Sequence, residues 1–225
     1  MASRIAVVDY AKGNLASVAR GLADAGYDAR VTDVPGDILA ADGIVLPGVG
    51  AFADAMTTME ETGQADALRS AVAAGVPFLG ICLGVHLLFD WGVEHVADGE
   101  RMPGLGVLRG GAVKMASTDA NGAKYKIPHV GWNSVEYAAG VDAAADEAIA
   151  HLFAGIPDGS HFYFTHSYCA QPEDACDVIA TSEHAKRFAC AVARDNVFGV
   201  QFHPEKSSAV GLKLLENFGK IVDDR

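Results

Sequence analysis

The sequence predicts an α/β fold, a mostly parallel sheet flanked by helices with antiparallel additions in its second half. Three observations carry this. Short apolar or β-branched runs alternate with helix-periodic stretches up to about residue 89. The run Val76–Cys82 (VPFLGIC) has no charged or polar-face residue, as a strand buried on both faces requires. Beyond residue 105 the strand-like runs lie too close together for crossover helices, so they pair as hairpins.

Taken in order, Arg4–Asp9 is β-branched and reads as the first strand. Leu15–Ala25 repeats apolar residues at helical spacing and stops at Gly26. Asp28–Val31 is a weak strand. Gly43–Leu46 is an apolar strand ending in Pro47-Gly48, and Ala65–Ala74 is a helix closed by Gly75. Val85–Phe89, after the Val76–Cys82 strand, opens a helix. Strands follow at Gly106–Met115, Trp132–Tyr137, His161–Ala170, Asp177–Thr181, Ala189–Arg194 and Val197–Phe202. Asp90–Gly104 and Ala138–Glu147 read as surface loops or irregular helices. A last helix spans Ala209–Val222, with Ser207 or Ser208 as its N-cap. Neither a repeat nor a low-complexity linker interrupts the chain, so residues 1–225 are expected to form a single domain.

About half of the 225 residues are apolar, enough to bury a full core. The formal net charge is −12, which disfavours nucleic acid and anionic membrane as partners. No apolar run approaches the roughly 20 residues that span a bilayer. The opening stretch Ile5–Val8 is cut short by Asp9, unlike a secretory signal, and a cytoplasmic location is expected. Cys82, Cys169, Cys176 and Cys190 show neither C-x-x-C nor finger spacing. Free thiols are therefore expected, with no metal and no organic cofactor.

Gly80-Ile81-Cys82-Leu83-Gly84 has the spacing of a nucleophile elbow with cysteine in the serine position. There a strand turns sharply into a helix, and residues two before and two after must be small. The helix N-terminus favours the thiolate. A cysteine is more often a plain core residue, but the apolar strand, the flanking glycines and the following helix set this one apart. A thiol nucleophile needs a base within hydrogen-bond reach. Phe202-His203-Pro204-Glu205 supplies one at the end of another apolar strand. Pro204 keeps His203 out of helical angles. Residues two apart face one side of an extended chain, so Glu205 can orient the His203 ring. Pro47-Gly48-Val49-Gly50 also follows a strand, and its glycines allow backbone N–H groups to face a cavity. The Leu83 N–H, next after the cysteine, is the second candidate oxyanion donor.

Together these residues resemble the class I glutamine amidotransferases, a flavodoxin-like family marked by G-x-C-x-G and a distant H-P-E. Further motifs are similar to one branch, the glutaminase subunits of imidazole glycerol phosphate synthases in histidine biosynthesis. They are Asp9–Val18, Leu46–Phe52, Pro128–Asn133, Phe164–Tyr168 and Gln201–Ser207, spread in order from residue 5 to about 220. The resemblance implies that Cys82 attacks the glutamine amide, His203 moves the proton and Glu205 orients His203. It implies that Gly50, Glu94, His166, Ser167 and Tyr168 hold L-glutamine, and that the Val49 and Leu83 N–H groups take the oxyanion. Asn14, Trp132 and Lys206 would face a (βα)8-barrel cyclase in a heterodimer.

One position departs from the family, which has glutamine where this chain has His86. The position implies substrate contact. A ring with a pKa near 6.5 is then expected to make the KM for glutamine rise as pH falls. Two other functions stay open at this level. One is a class I glutaminase feeding another synthase; the other is a non-catalytic, partner-binding homologue.

Overall fold

The computed structural model describes residues 2–11, 13–138, 140 and 143–225. Lys12 of the opening motif, and residues 139, 141 and 142 of the expected loop, lie outside them. The first half alternates as expected: β1 (Arg4–Val8), α1 (Leu15–Asp24), β2 (Asp28–Thr32), α2 (Pro35–Leu39), β3 (Gly43–Gly48), α3 (Phe52–Glu61), α4 (Gln64–Ala73), β4 (Phe78–Cys82) and α5 (Leu83–Leu87). The second half is strand-rich: β5 (Phe89–Gly92), β6 (Met102–Pro103), β7 (Leu108–Lys114), β8 (His129–Ser134), β9 (Glu136–Tyr137), α6 (Ala143–Leu152), β10 (His161–His166), β11 (Tyr168–Pro172), β12 (Val178–His184), β13 (Lys186–Arg194), β14 (Val197–Val200) and α7 (Ser208–Asp223).

One twelve-stranded sheet runs through both halves, in the order β2-β1-β3-β4-β14-β13-β11-β7-β5-β6, with β12 and β9 branching from β13. The strands from β2 to β14 are parallel. β13 turns antiparallel to β14, and β11 and β7 continue that wing. β8 and β10 form a separate antiparallel ribbon.

Alternation along β1 shows how the sheet is filled. Ile5 and Val7 enter one core, with Val18, Leu22, Leu214 and Phe218 of α1 and α7. Ala6 and Val8 enter the other, with Ile38, Phe52, Met59 and Leu68 of α2, α3 and α4. Each such large side chain contributes about 1.5–3 kcal/mol when fully buried, so helices must cover both faces of the parallel section.

Several elements differ from expectation. α3 was not anticipated: its Thr57 and Thr58 dilute the helical signal, yet their hydroxyls fold back onto the carbonyls of Ala53 and Asp54. The expected loop Asp90–Gly104 carries β6 and most of β5, paired at Trp91–Pro103 and Gly92–Met102. Of Ala138–Glu147, read as a surface loop or irregular helix, the part from Ala143 belongs to the regular helix α6. His161–Ala170 breaks at Ser167 into β10 and β11, which join different sheets. Phe89 lies in β5, leaving α5 only five residues. β14, though late in the chain, inserts parallel beside β4 instead of joining a hairpin on both sides.

Asn217 of α7 ties down the end of α6: its buried Nδ2 donates to the Leu152 and Ala154 carbonyls at 3.0 and 2.9 Å. Asn217→Leu keeps the branching of the side chain and removes both bonds. A loss of about 1–3 kcal/mol is expected, read as a lower urea midpoint; an unchanged midpoint would refute the tie.

Candidate active site

Cys82 ends β4 with φ 55° and ψ −108°, a left-handed backbone for a residue that bears a Cβ. Such a conformation costs about 1–3 kcal/mol and persists only where its surroundings enforce it. The enforcement is steric. A Cβ at Gly84 would collide with the Leu46 carbonyl, and one at Gly80 would come within 2.6 Å of the Gly84 carbonyl oxygen. Both glycines are needed for α5 to start directly beneath β3 and β4.

His203 comes from the next parallel strand. β14 pairs with β4 at Val200–Ile81, so the chain leaving β14 passes beside Cys82. Two clamps hold it there. The His203 N–H donates to the Tyr163 carbonyl at 2.9 Å. The Ser207 hydroxyl donates to the His203 carbonyl at 2.6 Å and accepts from the Tyr163 N–H at 3.0 Å. Ser207 does occupy the N-cap position of α7, but its hydroxyl holds this turn and makes no cap bond.

His203 Nδ1 meets Glu205 Oε1 at 2.9 Å, with both side chains almost fully buried. Among the described residues, Nε2 has no hydrogen-bond partner of normal geometry, and it is the nitrogen left to face the thiol. Burial pushes the imidazole down, but the Cys82 sulfur and the Glu205 carboxylate outweigh it and raise the pKa from 6.5 to about 9. This environment favours the imidazolium form of His203 near neutral pH.

A cavity of about 290 Å³ opens beside the sulfur, lined by Val49, Gly50, Leu83, His86, Glu94 and His166–Tyr168 among others. A larger hollow, about 840 Å³, lies near Pro77 and Asn196 at the opposite strand ends and holds none of the expected site residues. Gly50 has φ +101°, a left-handed turn directly after β3 that a residue with a Cβ would adopt only under strain. Glu94 Oε2 accepts from the Phe52 N–H at 3.3 Å, and burial raises its carboxyl pKa.

Two histidines behave otherwise than the sequence suggests. Both His166 ring nitrogens are engaged within the protein: Nδ1 with the Tyr168 carbonyl at 2.8 Å, Nε2 with His129 Nδ1 at 3.0 Å. Burial, partly offset by that carbonyl, lowers its pKa to about 3. Its ring can therefore form cavity wall, and polar contacts are left to the neighbouring Ser167 and Tyr168. His86 Nε2 meets Gln201 Oε1 at 2.6 Å, and burial lowers its pKa from 6.5 to about 4. The expected KM rise through pH 6.5 thus loses its cause, because the ring stays neutral throughout that range.

The family model for class-I glutamine amidotransferases matches residues 6–222. The chain belongs to that family. As an amidotransferase it has close curated relatives. The imidazole glycerol phosphate synthase subunit HisH of Moorella thermoacetica is 45% identical over 97% of this chain and 95% of its own length. Its namesake from Methylococcus capsulatus is 47% identical over 96% of this chain and 95% of its own length. Among solved structures, a putative GMP synthase subunit from Thermoplasma acidophilum superposes with a TM-score of 0.68 at 18% identity, covering 100% of this chain and 96% of the other. PurLQS from Thermotoga maritima gives 0.67 at 18%, covering 100% and 99%. At that identity the likeness concerns fold alone.

The three residues expected to face a partner lie on β8, in the turn after β14 and just ahead of α1. Trp132 on β8 is 51% exposed beside the equally bare Val130. Lys206 is exposed in the Pro204–Lys206 turn, against which α1 and β10 pack. Asn14, partly buried, precedes α1. Gln201 was not singled out from the sequence. It sits within the Gln201–Ser207 motif, but no spacing signal places its side chain against residues 82 and 86.

Histidine NMR checks the electrostatics. The His86 ring should show no titration between pH 6 and 8.5, and His203 should titrate near 9. Cys82→Ala should lower the His203 midpoint, because burial then faces only Glu205. A His86 midpoint near 6.5 would contradict this environment.

Proposed function

We propose that the chain is the glutaminase subunit of an imidazole glycerol phosphate synthase. On this reading it hydrolyses L-glutamine and passes ammonia to a (βα)8-barrel cyclase in a cytoplasmic heterodimer. What supports it is the left-handed Cys82 at the end of β4 with the buried His203–Glu205 pair just beyond the adjacent β14, in a chain 45–47% identical to such subunits over nearly its full length.

In the proposed reaction the Cys82 thiolate attacks the side-chain carbonyl carbon of glutamine. The carbonyl oxygen becomes an oxyanion, taken by the backbone N–H groups of Val49 and Leu83. His203, as imidazolium, gives its proton to the departing nitrogen, and ammonia leaves a glutamyl thioester on Cys82. His203 then accepts a proton from water as its hydroxyl attacks the thioester, which releases glutamate, expels the Cys82 thiolate and restores its pairing with the imidazolium. Glu205 stabilises the charged ring throughout. Glu94 suits the α-ammonium group of the substrate, and Gly50, Ser167 and Tyr168 complete its berth, with His86 and His166 as wall. Trp132, Asn14 and Lys206 face the cyclase.

Cys82→Ala should abolish glutamine hydrolysis while leaving the cyclase reaction active with ammonium salt; undiminished glutamine use would overturn the assignment of the nucleophile. The ligand-bound cyclase should accelerate hydrolysis. If it restores one oxyanion donor at Val49, the gain is about 100- to 1000-fold. Equal glutaminase rates with and without cyclase would rule out such gating.

A further inference from the structure

The buried side chain of Gln201 lies between His86 and the candidate nucleophile. Its Nε2 stands 3.7 Å from Cys82 Sγ, within hydrogen-bond range for sulfur, and its Oε1 stands 2.6 Å from His86 Nε2. Gln201 is 1% exposed and His86 4%. The Gln201 main chain is tied separately, its N–H donating to the Cys190 carbonyl at 2.8 Å. The carboxamide is thus a bridge between α5 and the sulfur, held from both ends.

We propose that Gln201 is a catalytic residue that donates a hydrogen bond to the Cys82 thiolate, and that His86 is a positioning residue that keeps its carboxamide turned in that sense. This rests on Cys82 being the nucleophile. A carboxamide can present either end to the sulfur, but a thiolate only accepts, so the amide nitrogen must face it. Oxygen then faces His86, which must carry its proton on Nε2. A neutral imidazole has one such donor. Ionisation of Cys82, the sense of Gln201 and the tautomer of His86 are therefore linked. The protonated thiol has a different partner, the Thr165 carbonyl at 3.9 Å. Gln201 thus favours the anion, and Thr165 the neutral form.

The other groups around the sulfur are fixed in kind. His203 approaches from the turn after β14, with Glu205 behind it. The Tyr10 hydroxyl lies beyond β1, and burial pushes its pKa upward. His86 acts only through Gln201, and the His166 ring beyond it is neutral. Neither Gln201 nor His86 changes charge near pH 7, so their removal takes away a dipole and adds no new titration.

The test is alkylation of Cys82 by iodoacetamide across pH 5 to 10, in the full-length chain without substrate. Peptide mass spectrometry separates Cys82 from the exposed Cys176. Gln201→Met is close in volume and lacks the donor, and His86→Leu removes the proton that orients the amide. Both should move the alkylation midpoint up by about one unit, roughly tenfold in thiolate fraction at a given pH. His86→Gln, whose own amide can donate to Gln201, should keep the wild-type midpoint. Circular dichroism identifies folded variants, and Gln201→Asn, too short to reach the sulfur, replaces Gln201→Met if that variant is unfolded. A wild-type midpoint in the folded Gln201 variant overturns the donor role. An unshifted His86→Leu overturns the positioning role. Should wild-type Cys82 show no pH-dependent alkylation, the nucleophile reading falls, and this proposal with it.

Discussion

The left-handed backbone of Cys82 is the constraint on which the site depends. Along β4, Leu79 and Ile81 face one core and Phe78 the other, so a strand that continued through ordinary angles would turn the residue-82 side chain to the Phe78 face. At φ 55° it emerges at the strand end beside the cavity. The strain of about 1–3 kcal/mol is offset by the burial of Leu83, Val85 and Leu87, which anchors α5 under the sheet. Gly80 and Gly84 admit that packing, because a methyl group at either would meet backbone.

Register then brings the remaining groups to the same place. β3 and β4 align Gly48 with Cys82, and β4 and β14 align Ile81 with Val200. Three adjacent parallel strands therefore end together, and the candidate oxyanion turn, the thiol and the imidazole lie on one rim. Carboxyl ends of parallel strands commonly host sites, since the connections there are free to vary without disturbing the sheet. The ribbon of β8 and β10 adds a lateral clamp through Tyr163, Ser207 and the backbone of His203. The same ribbon carries the exposed Trp132, so the base and the bare apolar surface share one support.

Burial alone does not decide the state of a histidine here. His86, His166 and His203 are all buried, yet the first two are pushed down to about 4 and 3, and the third is raised to about 9. The difference is the neighbour. His203 has a carboxylate on one nitrogen and the sulfur near the other, whereas His86 meets a neutral carboxamide and His166 meets a carbonyl and another imidazole. For His203, hydrogen bonding and charge from the sulfur and the carboxylate together outweigh desolvation.

Much was legible in the sequence where the physics is local. The alternation of apolar strands and helices is a periodicity, and it predicted the parallel sheet. Glycines two before and two after Cys82 announced the elbow, because only small residues fit a sharp strand-to-helix turn. His203 and Glu205 stand two apart, so their pairing needed no knowledge of the rest of the chain. Tertiary structure decided what depends on distant partners. The insertion of β14 beside β4, the division of His161–Ala170 between two sheets, and the engagement of His166 by His129 all arise from pairings across long stretches of chain. His86 shows the limit most directly. Its spacing from Cys82 placed it at the cavity, but its neutrality follows from burial and from Gln201, 115 residues away, which no local pattern encodes.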